Sequence, residues 1–184
     1  ALSQLINHKY RLKNTTGYAI NALIDFDDPI DILAHLMIGS EGTLGFISSI
    51  TYNTVVEHKH RASSIVFFPT METTCQAVSA LANANVSAVE LMDRRALASV
   101  SNMQGLPRFI KTLDENVGAL LIETCAANAD ILQQQIAELE SLLANFEQTN
   151  VIKFTTIASE YSQLWAIRKG TFPAVGAVRE TGTT

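Results

Sequence analysis

A long apolar stripe between residues 128 and 147 constrains the fold more than any other feature of the chain. Its members recur at helical spacing: Ile131, Leu132, Ile136, Leu139, Leu142, Leu143 and Phe146. A helix with one continuous apolar face has to bury that face against another element of the protein. The stripe therefore predicts an amphipathic helix packed on a sheet.

The segments around this helix alternate between strand and helix patterns. We predict strands at 64–68, 86–92, 117–123 and 151–154, and helices at 71–84, 94–101, 107–113 and from about Ser159 past Trp165. This order gives β-α-β, an insertion, and a second β-α-β. Two such units predict a ferredoxin-like split βαβ domain of the α+β class, in which helices cover one face of an antiparallel sheet.

A different pattern precedes this domain. Residues 2–12 predict a short helix, and Asp28 followed by Pro29 is a typical start for a second helix, which Gly39 ends. A strand of about ten residues is expected from Leu44. The composition changes at 55–62, so we place a domain boundary there, with domains at 1–56 and 57–184.

Composition limits the classes of function. The chain has 184 residues, of which 47% are hydrophobic and 17% charged, as is typical of a globular protein. Its net charge of −5 and the lack of a basic block argue against nucleic acid as a partner. No apolar run reaches the roughly 18 residues that a transmembrane segment needs. Two cysteines without metal or redox spacing suit a reducing compartment, so we expect a cytoplasmic protein.

Two polar turns rich in glycine stand before the boundary. Residues 39–45 are Gly-Ser-Glu-Gly-Thr-Leu-Gly, and residues 13–18 are Lys-Asn-Thr-Thr-Gly-Tyr. Glycine allows a ligand to approach the main chain closely, and such turns offer N–H groups and hydroxyls to an anionic ligand. The spacing fits neither the Walker phosphate loop nor the Rossmann fingerprint. A tight connecting turn without a ligand is the alternative.

These two turns, with the isoleucine-containing segment after them, resemble the flavoprotein oxidoreductases of the vanillyl-alcohol oxidase type. The resemblance is greatest to the FAD-linked D-lactate, glycolate and D-2-hydroxyglutarate dehydrogenases, whose cap domain follows the FAD domain. It implies FAD as cofactor and assigns FAD contacts to both turns, at Asn14, Thr15, Gly17, Gly39, Ser40, Gly42, Thr43 and Gly45. Residues 1–56 would then end an FAD-binding domain, and 57–184 would form most of the substrate-binding cap.

A second motif, Leu-Trp-Ala-Ile-Arg at 164–168, lies in the last predicted helix. Trp165 and Arg168 share a helix face, so a structural arginine lying over a core tryptophan is one interpretation. The family carries a Leu-Trp-x-x-Arg segment here, which implies that Arg168 binds the substrate carboxylate. Glu90 and Asp93 flank a predicted strand, and we expect a salt bridge or a helix cap from them instead of acid–base chemistry.

The resemblance implies that the parent protein oxidises a D-2-hydroxy acid, of the D-lactate or D-2-hydroxyglutarate type, by hydride transfer to FAD. It is closest to the large bacterial members that also carry an iron–sulfur part. We expect the chain to be a fragment that depends on the rest of its polypeptide, holds no catalytic base or metal ligand, is inactive alone and does not retain FAD. The electron acceptor stays open. The alternative is a non-catalytic ferredoxin-like module for small-molecule binding or dimerisation.

Overall fold

A computed structural model of the chain describes residues 1–101 and 108–177, without the side chains of 108, 109 and 172–177. Position 107 of the predicted helix 107–113, and positions 178–184 of the predicted second domain, lie outside the described residues. The chain divides into two compact units, Ala1–Val55 and Val56–Thr184.

Three helices form the first unit: α1 at Leu2–Lys9, α2 at Ala22–Asp25 and α3 at Pro29–Leu36. The predicted start of α3 is confirmed, because the Asp28 carboxylate accepts hydrogen bonds from the main-chain N–H groups of Ile30 and Asp31. This cap satisfies two donors that the first turn of a helix otherwise leaves unpaired.

The strand predicted from Leu44 is wrong. Residues 44–55 form no strand, and the large apolar side chains there stay exposed, with Phe46 at 93%. A strand needs a neighbouring strand to pair its main-chain N–H and C=O groups. None of the described residues of this unit supplies such a partner. The segment therefore does not form a strand, although its composition is typical of one.

An antiparallel sheet is the centre of the second unit. Its strands are β1 at His60–Phe68, β2 at Ala88–Met92 and β3 at Gly118–Ala126, in the spatial order β1-β3-β2. Helix α4 at Met71–Leu81 follows β1, and helix α6 at Ala129–Leu143 follows β3. The predicted α+β class with an antiparallel sheet is therefore confirmed.

The fourth strand, predicted at 151–154, is not formed as a regular strand. The chain returns to the free edge of β1. There Ser63 and Thr155 exchange main-chain hydrogen bonds of 3.0 and 2.9 Å, and the N–H of Thr149 donates one of 2.9 Å to the carbonyl of Phe67. The predicted fourth strand is therefore wrong, although one isolated bridge joins this part of the chain to β1. A side chain supplies two further hydrogen bonds at this edge.

That side chain is Asn150. Its Oδ1 accepts a hydrogen bond of 2.8 Å from the main-chain N–H of Phe67, and its Nδ2 donates one of 3.2 Å to the carbonyl of Ile65. One amide thus copies the donor and acceptor pattern of a neighbouring strand. Because the amide supplies both groups, the main chain of 151–154 can leave the edge.

Replacing Asn150 with alanine is expected to lower the free energy of unfolding by about 1–3 kcal/mol, since two partly buried hydrogen bonds are lost without replacement. Asn150→Asp keeps the acceptor and loses the donor, so it should fall between alanine and wild type. Val151→Ala is a matched control, because the Val151 side chain is 86% exposed. Urea unfolding measures all three, and equal stability of Asn150→Ala and Val151→Ala would contradict this role.

Helices α4 and α6 pack on one face of the sheet. The strand side chains on that face include Val66, Phe68, Leu120 and Ile122, and all four are fully buried. From α6 the stripe contributes Leu132, Ile136, Leu139 and Leu143. The helix predicted at 128–147 is confirmed at its centre, and Ile131 proves to be 44% exposed.

The opposite face of the sheet is also covered, which the prediction of helices on one face did not include. Its layer consists of α5 at Arg94–Ser99, a 3-10 helix at Arg108–Thr112 and α7 at Ala158–Ala177. The strands explain the second layer, because Phe67, Ala119 and Leu121 point to this face and need burial as much as their neighbours do. Among the described helices, none is long and apolar enough to cross a membrane.

Candidate functional site

The turn at 39–45 has an unusual main-chain conformation. Gly39, Glu41 and Gly42 have φ angles of 75°, 51° and 80°, in the left-handed region that glycine adopts at no steric cost. Both N–H and hydroxyl of Thr43 donate to the carbonyl of Ser40, at 2.9 and 2.6 Å. Ser40 itself is buried. The turn is therefore held closed by its own hydrogen bonds.

The structure brings the two predicted turns together within the first unit. The hydroxyl of Tyr18 lies 2.9 Å from Oγ1 of Thr43. Because the Thr43 hydroxyl hydrogen is directed to Ser40, the Tyr18 hydroxyl is the donor of this bond. Tyr10 donates in turn to the carbonyl of Tyr18 at 2.7 Å. Sequence reasoning included Tyr18 in the motif without giving it a role, and the structure shows that it joins the turns.

The turn offers bare main chain to a ligand at two of its glycines. A Cβ atom built on Gly39 or Gly42 would meet no atom within 4 Å, and Gly17 in the other turn is equally open. Among the hydrogen bonds of the described residues, none is donated by the N–H groups of Gly39, Glu41 or Gly42. These donors and this open space fit an anionic or polar group of a cofactor such as FAD.

Other predicted cofactor residues serve the turns themselves. Asn14 accepts from the N–H and hydroxyl of Thr16 at 3.3 and 3.0 Å, and Thr15 is exposed. A Cβ on Gly45 would lie 3.0 Å from Cε of Met37, so packing inside the unit also favours glycine there. FAD contacts stay predictions for these residues, as they do for Gly39 and Gly42.

Helix α7 contains the second predicted site and packs on one face of the sheet of the second unit. Ile167 is fully buried, and Nε1 of Trp165 donates a hydrogen bond of 3.1 Å to Oγ of Ser63 on β1. Trp165 also packs on the apolar cluster of this face. One turn further along, Arg168 reaches β2. Polar contacts therefore join α7 to both outer strands of the sheet, β1 and β2.

The guanidinium group of Arg168 pairs with Glu90 on β2. Its Nε lies 3.2 Å from Oε1 of Glu90, and the two side chains are 44% and 37% exposed. The alternative interpretation, an arginine lying over Trp165, is not what the described contacts show. In this layer the cation above an aromatic ring is Arg61, whose Cζ lies 6.0 Å from the ring centroid of Tyr161.

Sequence reasoning left Glu90 out of the site, although a signal was present. Strand alternation places Glu90 and Met92 on one face, and Met92 belongs to the apolar cluster on which Trp165 packs. Glu90 must therefore face the helix that carries Arg168. Asp93 caps α5, as predicted, by accepting 2.7 Å from the N–H of Ala96.

A further polar group on the same face lies around Glu123 of β3. Its Oε2 is 3.4 Å from Oγ of Ser63 and 3.6 Å from Nη1 of Arg61, and its side chain is 13% exposed. Arg61 also reaches Glu57 at 3.3 Å. Arg61 is thus paired with both Glu57 and Glu123. Of Arg61 and Arg168, Arg168 has the more exposed side chain. In the described part of the chain, no three His, Cys, Asp or Glu side chains gather to hold a metal ion.

Comparison with known proteins identifies the family. Residues 57–184 match the model of the FAD linked oxidases, C-terminal domain. This match covers more than two thirds of the chain, so the chain belongs to that family. The family is defined by its link to FAD, which supports FAD as the cofactor.

Three curated relatives carry the name D-lactate dehydrogenase. The mitochondrial, cytochrome-type protein of Kluyveromyces lactis is 26% identical over 85% of this chain and 25% of its own length. The mitochondrial, cytochrome-type protein of Arabidopsis thaliana is 28% identical over 74% of this chain and 23% of its own. That of Anaerostipes hadrus is 27% identical over 79% and 31%. The chain thus spans about a quarter to a third of these relatives.

A solved structure of an alkyldihydroxyacetonephosphate synthase has a similar fold. The superposition gives a TM-score of 0.55 at 16% identity and covers 82% of this chain and 29% of that one. At this identity the likeness concerns the fold alone.

Proposed function

We propose that the parent protein is an FAD-dependent dehydrogenase that oxidises a D-2-hydroxy acid to the 2-oxo acid. The names of the three relatives support this substrate class. The family supports the oxidoreductase class over a non-catalytic binding or dimerisation module. In this proposal residues 1–56 end the FAD-binding domain, and 57–184 are the substrate-binding cap.

The observation that carries the substrate assignment is the accessible guanidinium of Arg168 on an anchored helix. Trp165 and Ile167 fix α7 against the sheet, so the position of Arg168 is set before a ligand arrives. A guanidinium stays charged at all physiological pH values and its planar fork matches a carboxylate with two parallel hydrogen bonds. Arg168 would thus orient the hydroxy acid by its carboxylate.

The glycine turns would hold the cofactor in this proposal. The N–H groups of Gly39 and Gly42, with the open space above both residues, would receive a polar part of FAD. Ser40 and Thr43 would keep the turn closed around that contact. Bound FAD supplies the hydride acceptor for the oxidation.

Anaerobic reduction of the flavin in the full-length protein tests the proposal. A D-2-hydroxy acid such as D-lactate should bleach the visible flavin absorption, because hydride leaves C2 of the substrate. L-lactate and propionate, which lacks the hydroxyl, are matched controls and should leave the absorption unchanged. Flavin that dithionite reduces and no D-2-hydroxy acid reduces would contradict the proposal.

Three expectations stay predictions. They are the cytoplasmic location, the iron–sulfur part of the parent protein, and the failure of the 184-residue chain to retain FAD or to turn over substrate alone. Two relatives are mitochondrial by name, which concerns those proteins. The electron acceptor is not assigned.

A further inference from the structure

Tyr18 lies at the centre of a chain of hydrogen bonds in the first unit. Its hydroxyl donates to Oγ1 of Thr43 at 2.9 Å, because the single hydrogen of the Thr43 hydroxyl goes to the carbonyl of Ser40. Its carbonyl accepts a hydrogen bond of 2.7 Å from the hydroxyl of Tyr10, which lies at the C-terminal end of α1. Tyr18 is thus held through its main chain and contacts the turn at 39–45 through its side chain.

The turn that receives this bond has a main-chain conformation that needs support. Glu41 has a φ of 51°, in the left-handed region that glycine adopts freely and glutamate does not. Such a conformation persists only where surrounding contacts fix it. Within the turn, the carbonyl of Ser40 accepts from both the N–H and the hydroxyl of Thr43. The bond from Tyr18 reaches the same hydroxyl from outside the turn, so it restrains Thr43 in this position.

The same bond fixes two open stretches of main chain relative to each other. Gly17 directly precedes Tyr18, and Gly42 directly precedes Thr43. A Cβ atom built on either glycine would meet no atom within 4 Å. Without the bond between Tyr18 and Thr43, a ligand would have to order the turn as it binds, and this ordering lowers affinity.

We propose that Tyr18 is a positioning residue for FAD, which acts through the Thr43 hydroxyl and fixes the turn at 39–45 in the conformation that binds the cofactor. This inference rests on the proposed function, because it takes this turn to contact FAD. Tyr18 acts without donating to the cofactor, since its hydroxyl hydrogen is already given to Thr43. Its role concerns the binding of FAD and not the transfer of hydride.

The variant Tyr18→Phe tests the proposal in the full-length protein. It keeps the ring and removes the donor to Thr43. We expect the dissociation constant of FAD to rise about fivefold, the size of effect that one hydrogen bond between neutral groups produces. Titration of the apoprotein with FAD measures this constant by flavin fluorescence, at a temperature at which far-UV circular dichroism shows every variant folded. Tyr52→Phe is the matched control, because Tyr52 is 77% exposed, and it should leave the constant unchanged.

Changes at Thr43 distinguish positioning from a general loss of stability. Thr43→Val removes the hydroxyl, so adding Tyr18→Phe to it should raise the dissociation constant by less than about twofold. Thr43→Ser keeps the hydroxyl and should restore the fivefold effect of Tyr18→Phe. A bond that only stabilises the fold would not make the affinity for FAD depend on this hydroxyl. An unchanged constant in Tyr18→Phe, or a fivefold rise that persists beside Thr43→Val, overturns the proposal.

The proposed contact between the turn and FAD fails in a different way. Gly42→Ala adds a Cβ atom in the open space and at a φ of 80°, so it should weaken FAD binding more than Tyr18→Phe does. Unchanged binding in Gly42→Ala would show that the turn does not hold the cofactor, and the role of Tyr18 would be rejected with it. Weaker binding in Gly42→Ala together with unchanged binding in Tyr18→Phe would reject the role of Tyr18 alone.

Discussion

Replacing Arg168 with lysine in the full-length enzyme is expected to lower kcat/KM for a 2-hydroxy acid by about tenfold or more. Lysine keeps the positive charge and loses the planar fork, so a carboxylate can no longer form two parallel hydrogen bonds. The Glu90 carboxylate, 3.2 Å from Nε of Arg168, would also draw the compact ammonium group towards β2. Steady-state kinetics with D-lactate measure the loss.

Two further variants show whether this loss comes from carboxylate binding. Lys169→Arg makes the reverse change at the next position of α7 and should leave kcat/KM within about twofold of wild type. Arg168→Ala should lose more activity than Arg168→Lys, and added guanidinium ion should restore part of it. Unchanged efficiency in Arg168→Lys would remove Arg168 from the substrate site.

The sequence predicted the elements whose signals are local. The apolar stripe of α6 and the caps of α3 and α5 each depend on residues within a few positions, and the structure confirms them. The strand expected from Leu44 shows the limit of this reasoning. Its composition favours extended main chain, but a strand also depends on a partner that the segment itself does not specify.

The edge of β1 is a second case in which local sequence did not specify the pairing of a strand. The segment Val-Ile-Lys-Phe at 151–154 predicted a strand, whereas the amide of Asn150 supplies two of the hydrogen bonds at this edge. Nothing local distinguishes such an asparagine from one in an ordinary turn. The second helical layer was missed for a related reason, because the short helices between β2 and β3 gave no strong stripe of their own.

For the candidate site, the sequence predicted individual residues, and the structure shows which side chains contact them. The glycine turn and Arg168 were found from motifs, through the resemblance to a family. The bond between Tyr18 and Thr43 and the pair between Glu90 and Arg168 join segments distant in sequence. One sequence does not specify such pairs, although strand alternation did indicate the face on which Glu90 lies.

Replacing Leu139 with alanine is expected to lower the free energy of unfolding of the second unit by about 2–5 kcal/mol. Leu139 is 1% exposed at the centre of the stripe on α6 and belongs to the apolar cluster between α4, α6 and the sheet. The substitution removes buried methyl groups and leaves a cavity that the packed strands cannot close. Few single substitutions on the surface approach this cost.

Ile131→Ala on the same helix is the matched control, because Ile131 is 44% exposed and leaves little cavity when shortened. Its effect should stay below about 1 kcal/mol. Urea unfolding of the 184-residue chain separates the two variants, and the fluorescence of Trp165, the single tryptophan, follows the second unit specifically. If both variants lose the same stability, then α6 does not bury its stripe on the sheet. The packing of α6 on the sheet, on which the proposed cap domain depends, would then be incorrect.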